Sequence, residues 1–433
     1  MIPDTPTRRP SLIAKPAPAS NRSAWIYGFL LLCAVMLMRP SIEGEVFNPI
    51  GVLLFTFLSG LQFFTLPSRK PTDRSVIVAF TSVALFTFLA LHSILNGAQS
   101  DFALRALLYI AAISLAGVMI ASTIAYSRFL DCLIVFLIIS AVSFYITCLL
   151  SYFFGLDSLV LFQLLLRSDT VGYADTAYVY FPFTIGYDIK NYPGLAIPRF
   201  AGGWREPGIA QALYCWALAY ALASSRRWKK ATIAMLVLGA VASQSTVAFL
   251  DIAVVVGLHI LLGGKLTVKR VLLLVPGIII TSAFVYFGIN DQNVGLASKV
   301  SNASYLDRTV AAEQSIRAFL DNPLGHGIYA FKFPNEGISL IANLGAIGLF
   351  GLVLIAVNWT SAVLLSNRPA LMLTAMSPIF FTMITSQPLL DAPLFYLFLT
   401  IDAGEYSATS WLFGKRESRK KQQPEPLRRL VMQ

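Results

Sequence analysis

The densest chemistry in the chain is PRFAGGWREPGIAQAL, residues 198–213, where Arg199, Arg205 and Glu206 crowd around Gly202 and Gly203. A guanidinium takes a phosphate in paired hydrogen bonds, and paired glycines let a backbone approach a ligand with no side chain between them. Glu206-Pro207 also has the form of a helix start, with proline in the first turn and an acid at the positive end of the dipole. Two uses compete for Glu206: a helix cap, and a carboxylate base for an attacking hydroxyl. For the arginines the competing uses are an anion clamp and snorkelling to a membrane surface. Their grouping around glycines favours the clamp.

A second set of groups lies in SYLDRTVAAEQSIRAFLDNPLGHG, residues 304–327. This reads as a short helix capped at Ser304 and ended by Asn322-Pro323. Arg317 has Glu313 four residues earlier, an ordinary surface pair. Arg308 has Ser304, Tyr305, Ala311 and Ala312 at the equivalent positions, so no local carboxylate holds it and a ligand can. Gly325 and Gly327 around His326 read as a flexible turn, with His326 a ligand contact and a weaker candidate for a base. Arg105 sits a few residues inside an apolar segment, and Asp251 inside another. A charge within a span is a functional hypothesis by default, with snorkelling as the alternative for Arg105. The segment YADTAYVYFPFTIGYDIKNYP, residues 173–193, suits either stacking on sugar rings or a place in the headgroup belt.

These groups hang on a chain of 433 residues that is 56% hydrophobic and 13% charged, about half the charged fraction usual for soluble domains. Its apolar residues come in long runs, as lipid-facing segments do. The expected fold is all-α and polytopic, with about twelve spans near 24–38, 47–66, 75–95, 102–124, 129–154, 208–224, 231–246, 247–262, 271–288, 338–357, 371–388 and 392–410. Residues 231–262 are read as a hairpin turning at SQST (243–246), which keeps both basic flanks on one side. Residues 23–412 then make one transmembrane domain, between a disordered N-terminus (1–22) and a basic tail (413–433). Long outward loops fall at about 155–207 and 289–337.

The net charge of +11 reflects topology rather than a nucleic-acid partner. Arg69, Lys70 and Arg74, then Arg226, Arg227, Lys229 and Lys230, then Lys265, Lys269 and Arg270 occupy alternate loops. The positive-inside rule places them and both termini in the cytoplasm, facing membrane lipid. Cys33, Cys132, Cys148 and Cys215 fall within spans and read as small core residues. No His/Cys cluster or D-x-D indicates a metal. No G-x-x-x-x-G-K-[ST] or G-x-S-x-G is present either, which counts against an ATP-driven pump and a serine hydrolase.

RFAGGWREP before a helix, Arg308 in a late loop, NPLGHG, and ANLGAIGLFG opening the next helix together resemble the O-antigen ligase/Wzy-type polysaccharide polymerase superfamily. Its members are bacterial inner-membrane glycosyltransferases of GT-C type. The resemblance implies a GT-C-like helical fold whose two long periplasmic loops carry short helices, with the active site at the periplasmic face. It implies a glycan donor on undecaprenyl diphosphate, a lipid-linked acceptor, and neither metal nor other cofactor. A chain-length regulator and other polysaccharide assembly proteins would be partners. By position, Arg199 and Arg308 match the arginines that hold the diphosphate, while Gly202 and Glu206 match the rest of the first motif. With Gly345 and Gly348 aligned, Pro334 stands where ligases carry a histidine and Asn343 where they carry a glutamate, although Asn335 fits. The missing histidine moves the expectation from ligase to polymerase.

Overall fold

In a computed structural model of the chain, residues 21–66, 70–98, 100–167, 174–192, 195–224, 229–263, 303–329, 339–387 and 389–412 are described. The apolar runs form helices, the element that satisfies its own backbone groups where water is absent. They are α1 (Asn21–Val35), α2 (Gly44–Thr65), α3 (Asp73–Leu95), α4 (Ser100–Ala121), α5 (Ala125–Phe154), α6 (Pro207–Ala223), α7 (Lys229–Ala242) and α8 (Thr246–Leu262). After them come α9 (Ala303–Asp321), α10 (Leu344–Leu364), α11 (Pro369–Thr385), α12 (Pro393–Thr400) and α13 (Ala403–Thr409).

Among the described residues, five segments are long and apolar enough to cross a membrane: Val46–Thr65, Asp73–Leu95, Ser100–Ala121, Ala125–Phe154 and Ile341–Leu364. That is fewer than the expected twelve. Segment 271–288 lies outside the described residues. The anticipated hairpin is present, with α7 and α8 joined through Ser243–Ser245. Its arms of 14 and 17 residues reach only about 21 and 26 Å, short of a ~30 Å hydrocarbon layer. The segment expected as one span at 392–410 is broken instead. Asp402 turns the chain there, accepting hydrogen bonds from Gly404 N (2.8 Å), Ser366 Oγ (2.6 Å) and Asn367 N (2.9 Å).

The larger correction concerns the all-α expectation and the short helices assigned to the first long loop. That loop is a four-stranded antiparallel meander: β1 (Val160–Arg167), β2 (Ala174–Tyr180), β3 (Thr184–Tyr192) and β4 (Leu195–Phe200), in that spatial order. The aromatic segment supplies β2 and β3. It alternates as a half-covered strand does, with Ala177 and Val179 buried. The β2–β3 turn is anchored on α5, where Thr147 Oγ1 donates to the Phe181 carbonyl (2.7 Å) and Phe183 N donates to Ser143 Oγ (3.1 Å).

Helix ends gather at two faces of the bundle. At the sheet end, Arg205 N donates to the Pro40 carbonyl (3.1 Å) and Leu340 N to that of Met383 (2.8 Å). At the opposite end the buried Arg74 donates to the carbonyls of Ala362, Leu399 and Thr400. Arg74 was read as one of the loop charges facing membrane lipid; it ties three helix ends together instead. The described cysteines are free, with Cys215 buried, Cys132 and Cys148 half-buried, and Cys33 exposed on the bundle surface.

Candidate functional site

The GGW turn between β4 and α6 is held from outside by residues 36–43, which follow α1. Ile42 N donates to the Gly203 carbonyl (3.0 Å), and Ser41 forms an isolated antiparallel bridge with Trp204. Gly202 has φ +60°, a conformation that favours glycine, so the sharp turn is local chemistry. Gly203 has a different role from the one expected. A Cβ there would collide with Met36 and come within 2.9 Å of the Phe136 ring, so its bareness serves packing rather than ligand approach.

On β4, Arg199 pairs across to Tyr187. It therefore shares the sheet face of Tyr187 and Ala201, which Ile42 covers. Phe200 points the other way, against Phe144 of α5 and Tyr214 of α6, at ring separations of 5.0 and 6.0 Å. Arg199, Arg205 and Glu206 are each half-buried. Glu206 occupies the N-cap position with Pro207 at the first turn, as expected. Its side chain makes no capping bond, so the carboxylate is available for other chemistry.

Helix α9 reaches the same end. Gly345 lets it approach α10: Gly345 N donates to Ser315 Oγ (2.9 Å), and a Cβ there would lie 2.7 Å from that of Ala318. The helix begins at Ala303, so Ser304 lies within its first turn rather than capping it. Position 308 falls on this helix; its side chain, like Asn335 and Pro334, lies outside the described residues. Glu313 and Arg317 form the anticipated exposed pair at 4.0 Å. Asn343 is the N-cap residue of α10 and donates to the Ser339 carbonyl (2.8 Å).

The NPLGHG turn is packed rather than flexible. His326 N donates to the Gly345 carbonyl (3.1 Å) and Gly327 N to that of Ala346 (2.9 Å). Gly325 and Gly327 both have φ +86°, and a Cβ on Gly327 would lie 2.7 Å from Ser93 Cα. This fixes His326 beside His92, whose ring stacks on Phe88. Arg105 is not drawn into the cluster. It is exposed on α4 with its guanidinium 6.0 Å above the Phe102 ring. Asp251 is fully buried; Thr382 Oγ1 donates to its Oδ2 (3.3 Å), and its Oδ1 has no partner.

Three residues at this end were not anticipated. Arg39 Nη1 and Asp391 Oδ2 form an ion pair at 2.8 Å, with side chains 26% and 29% exposed. Tyr329 has its hydroxyl buried and without a hydrogen-bond partner, in electrostatic reach of both. Burial pushes that phenol up, Asp391 adds to the rise and Arg39 opposes it, so it is held as an O–H donor. The available signal was a charge at the end of an apolar run followed closely by proline: Arg39-Pro40, and Asp391 two residues before Pro393. Among the described residues, no three His, Cys, Asp or Glu side chains converge as metal ligands would. The chain matches no family model, no curated protein and no solved structure.

Proposed function

We propose that the chain is a metal-independent glycosyltransferase of GT-C type. It acts as a polysaccharide polymerase, joining undecaprenyl-diphosphate-linked oligosaccharide repeat units at the periplasmic face of a bacterial inner membrane. One observation carries this reading: the strand β4, the turn after it and the start of α6 place Arg199, Arg205 and the uncapped Glu206 within eight residues of chain at one end of an apolar helical bundle. Lys70, Lys229 and Lys230 stand at helix ends away from the sheet, which supports a periplasmic sheet and cytoplasmic termini.

The chemistry asks for little else. An acceptor sugar hydroxyl attacks the anomeric carbon of the donor; the new glycosidic bond forms as the bond to the diphosphate oxygen breaks. The electron pair leaves on the diphosphate, whose growing charge Arg199, Arg205 and Arg308 take up. Glu206 accepts the hydroxyl proton. No metal or nucleotide sugar is needed, because the prenyl diphosphate is already a good leaving group.

Purified protein in liposomes with lipid-linked repeat units tests this directly. A ladder of lengthening products supports the polymerase, and transfer only to a foreign acceptor identifies a ligase. Lipid-linked glycan that changes leaflet without new bonds identifies a flippase. The flippase has one observation in its favour, the buried Asp251 with its unpartnered oxygen.

A further inference from the structure

The turn between β2 and β3, Phe181-Pro182-Phe183, leaves two phenylalanine rings outside the core, Phe181 50% exposed and Phe183 78%. What surrounds them follows from their height on α5. At 30 residues α5 is about 45 Å long, whereas about 20 helical residues cross a ~30 Å hydrocarbon layer. Counted from the turn between α4 and α5 at residues 122–124, that layer ends near Phe144. Counted from the buried Arg128 it ends near Cys148. A tilt of the helix only moves the boundary further along it. The β2–β3 turn is bonded to Ser143 and Thr147, so it stands within about 8 Å of that boundary in either case. We propose that this turn anchors the sheet in the bilayer: Phe181 and Phe183 enter the acyl chains of the leaflet on the sheet side.

The backbone of the turn is built for that place. In lipid an N–H or carbonyl finds no water, so it must be satisfied within the protein. Phe181 N donates to the Leu159 carbonyl (2.8 Å), Phe183 N donates to Ser143 Oγ (3.1 Å), and Pro182 has no N–H to satisfy. Thr147 Oγ1 donates to the Phe181 carbonyl (2.7 Å). The neighbouring Thr184 is buried, with its hydroxyl 2.8 Å from that of Thr147 and 3.1 Å from that of Ser143. A turn in water is under no such demand, because water supplies these bonds.

The rings also continue a surface that already faces lipid. Ile139, Val142, Ile146 and Leu149 are exposed on the adjoining face of α5, a helix long and apolar enough to span. The competing use of the rings, stacking on sugar, needs them clear of the headgroups, and phenylalanine brings no polar group for a sugar to bond. The assignment rests on the apolar bundle and not on the glycosyltransferase reading.

The test is the depth of the turn in the full chain, reconstituted in lipid nanodiscs. Phe183→Trp adds a reporter, read as the emission gained over the six native tryptophans. Lipid brominated along its acyl chains is expected to quench most of the added emission, and aqueous iodide little of it. Iodide quenching that equals or exceeds the lipid quenching overturns the proposal and returns the turn to water, where sugar stacking is open to it. Phe181→Trp, across Pro182, gives a second reporter if the first variant folds poorly. Adding Phe183→Asp to the Phe181→Trp protein separates an anchor from a turn that merely touches lipid. A carboxylate is costly in hydrocarbon, so the turn should lift: quenching by brominated lipid falls and quenching by iodide rises. Unchanged quenching would mean that the rings do not hold the turn in the leaflet, and overturns the proposal.

Discussion

The two ends of the bundle treat their charges differently. Opposite the sheet, Asp131 is fully buried and accepts hydrogen bonds from Arg128 Nη1 (3.0 Å), Ser410 Oγ (2.5 Å) and Trp411 N (2.8 Å), with longer ones from Tyr406 and Leu412. Asp402 and Arg74 are engaged in the same way by backbone groups far away in sequence. These charges bind the last helices to α3 and α5: Asp131, Asp402 and Arg74 are fully engaged by the fold, although Arg128 Nε is buried without a partner. At the sheet end Glu206 caps nothing, Tyr329 donates to nothing, and the Arg39–Asp391 pair lies partly in solvent. Buried polar groups are normally satisfied, so the carboxylates opposite the sheet read as structural, and the proposed function assigns the less engaged groups at the sheet end to a ligand.

Breaking the saturated end should have the largest effect. Asp131→Ala leaves the Arg128 guanidinium, 9% exposed, without its carboxylate and releases the 403–412 segment; breaking a buried pair costs about 3–5 kcal/mol. The expected result is a large drop in melting temperature in detergent and poor accumulation in membranes. An unchanged melting curve would dissolve the contrast between the ends.

At the sheet end the reverse pattern is expected. Glu206→Gln should lower glycan transfer by roughly 10²–10⁴-fold while leaving the melting temperature within a degree or two, because removing a general base affects the reaction alone. A comparable loss of stability would return Glu206 to a capping role.

Gly203→Ala sharpens the boundary between the two kinds of residue, because it stands in the functional motif yet packs like core. Overpacking against Met36 and Phe136 should destabilise by about 1–3 kcal/mol in thermal or denaturant unfolding. Lost transfer at full stability would instead restore the ligand-approach reading. The smallest effect belongs to Glu313→Ala on α9. Its pair with Arg317 is 4.0 Å long and both side chains are mostly exposed, so about 0.5 kcal/mol or less is expected.

What was legible in the sequence followed the range of the interactions. The α6 start at Glu206-Pro207, the hairpin at Ser243–Ser245 and the end of α9 before Pro323 are set by residues next to one another, and each stands where the local pattern put it. The sheet was missed because strand pairing is non-local: aromatics spaced for β2 and β3 look the same as aromatics spaced for a headgroup belt until their partners are known. The break at Asp402 was missed for a related reason. Asp402 in FLTIDAGEY reads as a tolerated charge until Ser366 and Asn367, some 36 positions earlier, are seen to hold it. Arg39 and Asp391 are 352 residues apart and each looks like an ordinary loop charge. The glycines of NPLGHG were legible as a turn, but whether that turn moves depends on Ser93 and Ala346, which only the fold brings there.

The central claim of the proposed function is that Arg199 and Arg308 hold a diphosphate during glycan transfer. The most direct measurement is the product length distribution made by wild-type, Arg199→Ala and Arg308→Ala proteins in liposomes with lipid-linked repeat units, each first matched to wild type by melting temperature. The account predicts a ladder from the wild type and unreacted substrate from both variants. A wild-type ladder from either folded variant would contradict it.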